Sequence, residues 1–193
     1  MIHRVFEYLT EELNSYFKGK FNYTEDIVYA SALVALDGSV DIPSENKLVT
    51  TLVNVEQDTT RGSPGLKNQV GNDSFNKEYF PAISLNLYML VSAYYNKKNY
   101  LEALKFLSET IAFFQRKPVF DRSNSPGLDA QIDKLTLEIV NINTHDLSNL
   151  WGMLGSHYLP SILYKIRTIT IDGSALRSLQ HKIVSTEKTT QAE

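Results

Sequence analysis

The side chains best suited to acid–base or metal chemistry are spread too widely along this chain to act together locally. Four histidines, His3, His145, His157 and His181, form no His-x-x-x-His or Glu-x-x-His pair that would put two ligands on one helix face. His145 and His157 flank a short predicted helix and read as turn residues. There is no cysteine, which removes thiolate ligands, a nucleophilic thiol and any disulfide framework. Neither Gly-x-x-x-x-Gly-Lys-Ser/Thr nor Gly-x-Gly-x-x-Gly occurs. The nearest glycine-rich piece, RGSPGLKN at 61–68, lacks the strand-then-helix setting of a phosphate cradle. Gly-x-Ser-x-Gly, the local sign of a serine hydrolase, is absent. The acidic residues are scattered, so a carboxylate pair for glycoside chemistry would have to be built by the fold. Tyr88, Tyr94 and Tyr95 could stack nucleic-acid bases, but they lack a basic surround. The reading assigns no catalytic residue, no cofactor and no metal.

What remains is contact chemistry. Arg61 and Lys67 stand in a polar, glycine-rich stretch where they could meet an acidic partner, against the plainer reading of a solvated loop. Phe75 lies in the same stretch. Tyr158 follows the short helix and could either pack inside or anchor a neighbouring subunit. These four residues are the partner-interface candidates. Trp151 reads as core.

The elements that would position them follow from periodicity. Ile2, Val5, Phe6, Leu9, Leu13 and Phe17 form one stripe of an amphipathic helix over 2–18, with Gly19 suited to a left-handed cap. Residues 27–36 and 48–55 read as strands, with Asp37-Gly38 as a turn between them. The polar stretch 57–80 breaks both helix and strand, and a loop of that length is usually functional or disordered. From 83 to 92, Ile83, Leu85, Leu87, Met89 and Val91 alternate with other residues. Period two favours a strand, with a helix as the rival. Residues 99–116 make a second helix with Asn99 as cap, Glu102 in the capping-box position and a broad apolar face from Leu101, Leu104, Phe106, Leu107, Ile111 and Phe114. A turn-rich stretch follows at 121–130, then a strand at 135–142. A short helix capped by Thr144 carries Leu147, Leu150, Trp151 and Leu154 and stops at Gly155. A last strand runs over 161–171. The expected fold is α/β (α+β), a mixed sheet of four or five strands packed against two or three helices. The division expected is one domain over 1–173 and a polar, flexible tail over 174–193.

Composition sets the outer bounds. A chain of 193 residues suits one domain with a core large enough to need no staples. The net charge of -3 argues against a nucleic-acid partner. No signal-peptide core and no membrane span are visible, so synthesis as a soluble cytoplasmic chain is expected. The 11 Tyr and 9 Phe suit a filled core and sticky contact surfaces equally.

A series of blocks then carries a resemblance. They are MIHRVFEYLTEELNSYF at the start, ENKLVTTLVNVEQDTT at 45–60, PAISLNLYMLVSAY at 81–94, YLEALKFLSETIAFFQRKPVF at 100–120 and LTLEIVNINTHDLSNLWGMLGSHYLPSILYKIRTITID at 135–172. In that order they resemble the cap, or tail-terminator, family of extracellular contractile injection systems of the virulence-cassette and antifeeding-prophage type. The match departs at 57–80 and after Asp172. The resemblance implies a structural protein, not an enzyme. It implies a ring, a homohexamer by expectation, that ends the inner tube and contacts the last sheath layer. Its partners would be itself, the tube protein, the sheath protein and, in some particles, a paralogous cap subunit. It would be made in the bacterial cytoplasm, and the finished particle would be cytoplasmic or extracellular. Two rival readings are a small cytoplasmic enzyme with a site assembled from scattered carboxylates and tyrosines, and another terminal or baseplate adaptor of the same particle.

Overall fold

The apolar stripe at the start of the chain forms helix α1, Ile2–Phe21, in the computed structural model. The residues described are 1–35, 45–58, 75–79, 83–155, 157–171 and 176–181. Helix α1 buries Val5, Phe6, Leu9, Leu13 and Phe17, as the spacing predicts. It continues past the expected stop at Gly19. The left-handed cap is Asn22 (φ 56°), whose N–H donates to the Lys18 carbonyl. The added turn brings Phe21 edge-on to Phe106, with ring centroids 5.6 Å apart, and that burial favours continuing the helix.

Six strands form one mixed sheet: β1 (Val28–Ala30), β2 (Lys47–Gln57), β4 (Ile83–Tyr94), β5 (Val119–Asp121), β6 (Lys134–Ile139) and β7 (Ser161–Ile171). Their order across the sheet is β1-β2-β4-β7-β6-β5. Only the β1–β2 pair is parallel. The expected α+β architecture holds, with the three-residue β5 as an addition. The segment 83–94 is a strand, because β4 pairs on both sides and both its faces are covered. Leu87, Met89 and Val91 are buried on one face, and Leu90 and Ser92 on the other. The strand expected over 27–36 shortens to β1.

Helices α1 and α2 (Tyr100–Arg116) cover one face with the larger core, in which Phe17, Phe106, Phe114, Phe120 and Tyr164 pack against β4, β6 and β7. Helix α3 (Thr144–Met153) covers part of the other face. There Trp151 packs with Leu33, Val49 and Leu90. Asn143, one residue before the expected Thr144, caps α3 by accepting the Asp146 N–H at 2.9 Å. Asn99 precedes α2 without a side-chain cap, while Asn96 accepts from the Lys98 and Asn99 amides and closes a 3₁₀ turn ahead of it. Among the described residues no helix is long and apolar enough to cross a membrane.

One polar side chain on α1 ties the helix to the sheet edge. The Ile27 carbonyl accepts the Leu48 N–H, so the N–H and C=O of Val28 face away from β2. Asn14, itself buried, meets both: its Nδ2 donates to the Val28 carbonyl at 2.8 Å, and its Oδ1 accepts from the Ile27 and Val28 amides at 2.9 Å. The carboxamide therefore takes the part of a missing neighbouring strand.

A separate two-stranded sheet pairs β3 (Phe75–Tyr79) with β8 (Leu176–His181), antiparallel, with Phe75 opposite His181. Two expectations change here. The stretch 57–80 is not loop throughout, since β2 runs through Gln57 and β3 occupies 75–79. The stretch expected as tail contains the strand β8, and the division drawn at 173 falls between β7 and β8. Polar segments such as FNKEY become strands when a second segment satisfies their backbone, which composition alone does not reveal. Residues 59–74 and 80, including Arg61 and Lys67, and 174–175 and 182–193 of the expected tail lie outside the described residues.

Candidate assembly surface

The corner after α3 is built on a rigid footing. Gly155 adopts φ 65°, which a side chain would oppose, and ends the helix as its position predicts. Trp151 is buried, and the ring of Tyr158 meets it edge-on at 5.9 Å. The Ala93 N–H donates to the Pro160 carbonyl at 2.9 Å and pins the turn to β4. Tyr158 itself is 63% exposed, and Met153 beside the same turn is 68% exposed. An exposed aromatic held by a buried one is what a contact anchor requires, because little rotamer freedom is left to lose on binding. Of the four residues proposed from the sequence, Tyr158 is exposed, and Arg61 and Lys67 lie outside the described residues. Phe75 lies on β3, and its strand partner is His181.

The broad apolar face expected on helix α2 is divided between core and surface. Its apolar residues wrap around more of the helix than one sheet can cover. Ala103, Phe106, Leu107, Thr110, Phe113 and Phe114 face inward, while Leu101, Leu104 and Ile111 stay exposed. The width of the apolar arc was the available signal. At the C-terminal end of α2, Ile111, Phe114 and Pro118 face Leu137 and Ile139 of β6 across a groove of about 580 Å³, with Tyr164 in its lining. Burial pushes the Tyr164 phenol well above its ordinary value.

Charges on this surface pair with one another and build no reactive centre. Tyr16 Oη donates to Glu109 at 2.8 Å, and Lys20 and Arg116 donate to Tyr16 in turn. The Lys20 ammonium, with help from Tyr16, holds the Glu109 carboxyl below the usual carboxylate range. On the sheet face beyond α3, Tyr88 donates to Glu56 at 2.7 Å and Arg167 pairs with Glu138 at 2.8 Å. Exposed pairs of this kind contribute about 0–1 kcal/mol each. Among the described residues no group of three or more His, Asp or Glu is placed to hold a metal ion.

Comparison with known families then gives a match to the Pvc16 N-terminal domain over residues 4–184. The chain belongs to that family. The resemblance carried by the sequence blocks is thereby borne out, and the Pvc16 N-terminal domain match extends through β8. No curated protein matches the chain significantly. Two solved structures share the fold of this Pvc16-family chain. One is the PVC sheath/tube terminator of an extracellular contractile injection system in its extended state, at 16% identity and a TM-score of 0.64. The alignment covers 100% of this chain and 64% of that one. The other is the tube-terminating cap of the anti-feeding prophage, at 15% identity and a TM-score of 0.52, covering 98% of this chain and 60% of that one. The chain therefore spans less than two thirds of the length of each.

Proposed function

We propose that this protein is a tube terminator of a phage-tail-like contractile injection particle. It forms a ring, a homohexamer, that ends the inner tube on one face and meets the last sheath layer on the other. The observation that carries the reading is the fold: the whole chain superposes on a sheath/tube terminator, within a family named for the same kind of particle. The exposed apolar groups on the α3 corner, on α2 and at the β6 edge support it, since contacts between unlike surfaces that close at a fixed number of subunits make a ring. In this reading the protein carries no catalytic step. It stops tube growth by offering a tube-like face on one side only, and it holds the sheath end in register.

A clean deletion tests the reading. Particles made without the protein are expected to have uncontrolled tube or sheath length, or to contract early, by negative-stain microscopy. Normal, extended particles of uniform length would exclude the terminator role.

Tyr158→Ala tests the anchor within this reading. The side chain is mostly exposed, so the variant is expected to keep its melting temperature within about 2 °C. Incorporation into particles, measured by quantitative blotting of purified particles, is expected to fall about tenfold, as loss of one anchor residue does. Full incorporation would remove Tyr158 from the interface.

A further inference from the structure

We infer that the cleft between the C-terminal end of α1, the start of α2 and the start of β2 is a receptor for one basic side chain, with arginine preferred, from a protein neighbour in the particle. The inference rests on the terminator reading for the neighbour's identity, but not for the chemistry.

The cleft encloses about 350 Å³ and has aromatic walls: Tyr23, Tyr95 and Phe106 line it. Tyr95 stacks on Phe106 with centroids 6.1 Å apart, and Tyr23 leans on the same ring at 5.9 Å. Three carboxylates, Glu25, Glu45 and Glu102, share the lining with a single ammonium, Lys47. Lys47 is already committed. It is buried, donates to the Asp26 carbonyl at 2.7 Å, pairs with Glu25 at 3.6 Å and sits over the Tyr29 ring at 5.5 Å. Among the described residues Glu45 and Glu102 have no cationic partner. Their contacts are neutral donors, Asn96 Nδ2 at 3.2 Å for Glu45 and Tyr23 Oη at 3.2 Å for Glu102. Two carboxylates without a cation beside a half-enclosed aromatic wall give an unbalanced negative field. A cation entering the cleft gains the Coulomb term and the attraction of the ring faces together. The aromatic cluster already does this on its outer side, where Lys105 lies 4.3 Å from the centre of the Phe21 ring.

The walls are held in place independently of any ligand. Asn46, at φ 65°, turns the chain into β2, and its side chain accepts from Asn99 Nδ2 at 3.1 Å. Its own N–H donates to the Tyr94 carbonyl at 2.8 Å. These contacts lock the start of β2, with Glu45, against the start of α2, with Glu102. Arginine suits the site better than lysine. Its planar guanidinium can stack on a ring while its donors reach two carboxylates, whereas a lysine ammonium offers a single point charge.

The test uses the free protein and three capped tripeptides, Gly-Arg-Gly, Gly-Lys-Gly and Gly-citrulline-Gly, followed by NMR of the aromatic ring signals. The arginine peptide is expected to shift the Tyr23, Tyr95 and Phe106 signals saturably with a Kd on the order of 1 mM. The lysine peptide should bind several-fold more weakly. Citrulline, which keeps the shape without the charge, should give no saturable shift. Glu45→Gln combined with Glu102→Gln is expected to weaken the arginine peptide at least tenfold while leaving the ring signals of the unliganded fold in place. Shifts of equal size from citrulline, or none from arginine up to about 20 mM, a concentration well above the expected Kd, would overturn the inference. That failure would leave the terminator reading intact, since the deletion phenotype decides it separately.

Discussion

Replacing Trp151 by alanine is expected to cost about 3–5 kcal/mol, enough to remove a large part of the stability of an ordinary domain. Among the described residues α3 is the only helix on its face of the sheet, and Trp151 is its one fully buried side chain. Truncation leaves a void lined by Leu33, Val49 and Leu90, which belong to strands or their connections and cannot close in without breaking pairing. The melting temperature should fall by roughly 10 °C, read by near-UV circular dichroism. Trp151→Phe separates packing from polarity. The indole Nε1 is buried without a hydrogen-bond partner among the described residues, so phenylalanine forfeits none of the bonds they make and should cost only about 1–2 kcal/mol. A Trp151→Ala variant that melts like the parent but fails to join particles would make Trp151 a contact residue.

Asn14→Leu is expected to destabilise by a similar amount for a different reason. The change keeps the branching of the side chain but strips the partners from the Val28 N–H and C=O and the Ile27 N–H, all inside the protein. Each buried backbone group left unpaired costs about 1–3 kcal/mol. The loss should be local as well as global. Hydrogen exchange at Ile27 and Val28 is expected to rise at least a hundredfold, more than at Leu87 or Met89 in the centre of the sheet. Uniform acceleration across the sheet would indicate that Asn14 contributes only to overall packing.

How much of this could be read in advance depended on whether the signal was local. The stripe of α1, the alternation of β4 and the stop at Gly155 are properties of short windows, and each appears as the spacing dictates. Strand β5 is three residues long and follows Pro118, too short for any period to register. Strands β3 and β8 are polar, and each is a strand only because the other lies beside it, about a hundred residues away in sequence. Asn14 looks like a weak helix residue until the edge of β1 is placed against it. The same holds for the surface. Tyr158 and the Trp151 ring it meets lie seven residues apart, within one short window. The cleft was not legible, because Tyr23, Glu45 and the pair Tyr95 and Glu102 converge from three separate parts of the chain.

The strand order has a consequence for how the protein is made. Strand β7 lies between β4 and β6, yet it is the last strand of the main sheet to be synthesised. Until residue 171 has left the ribosome, β1-β2-β4 and β5-β6 are two unconnected halves, and one edge of β4 is bare. Both halves also wait for Tyr164 and Ile166 to fill the space beneath α2. Pairing at such long sequence separation is slow, because loop closure must precede any gain from contact. Closure of the main sheet is thus postponed until β7 has been made, and nascent chains expose a strand edge prone to wrong pairing until then.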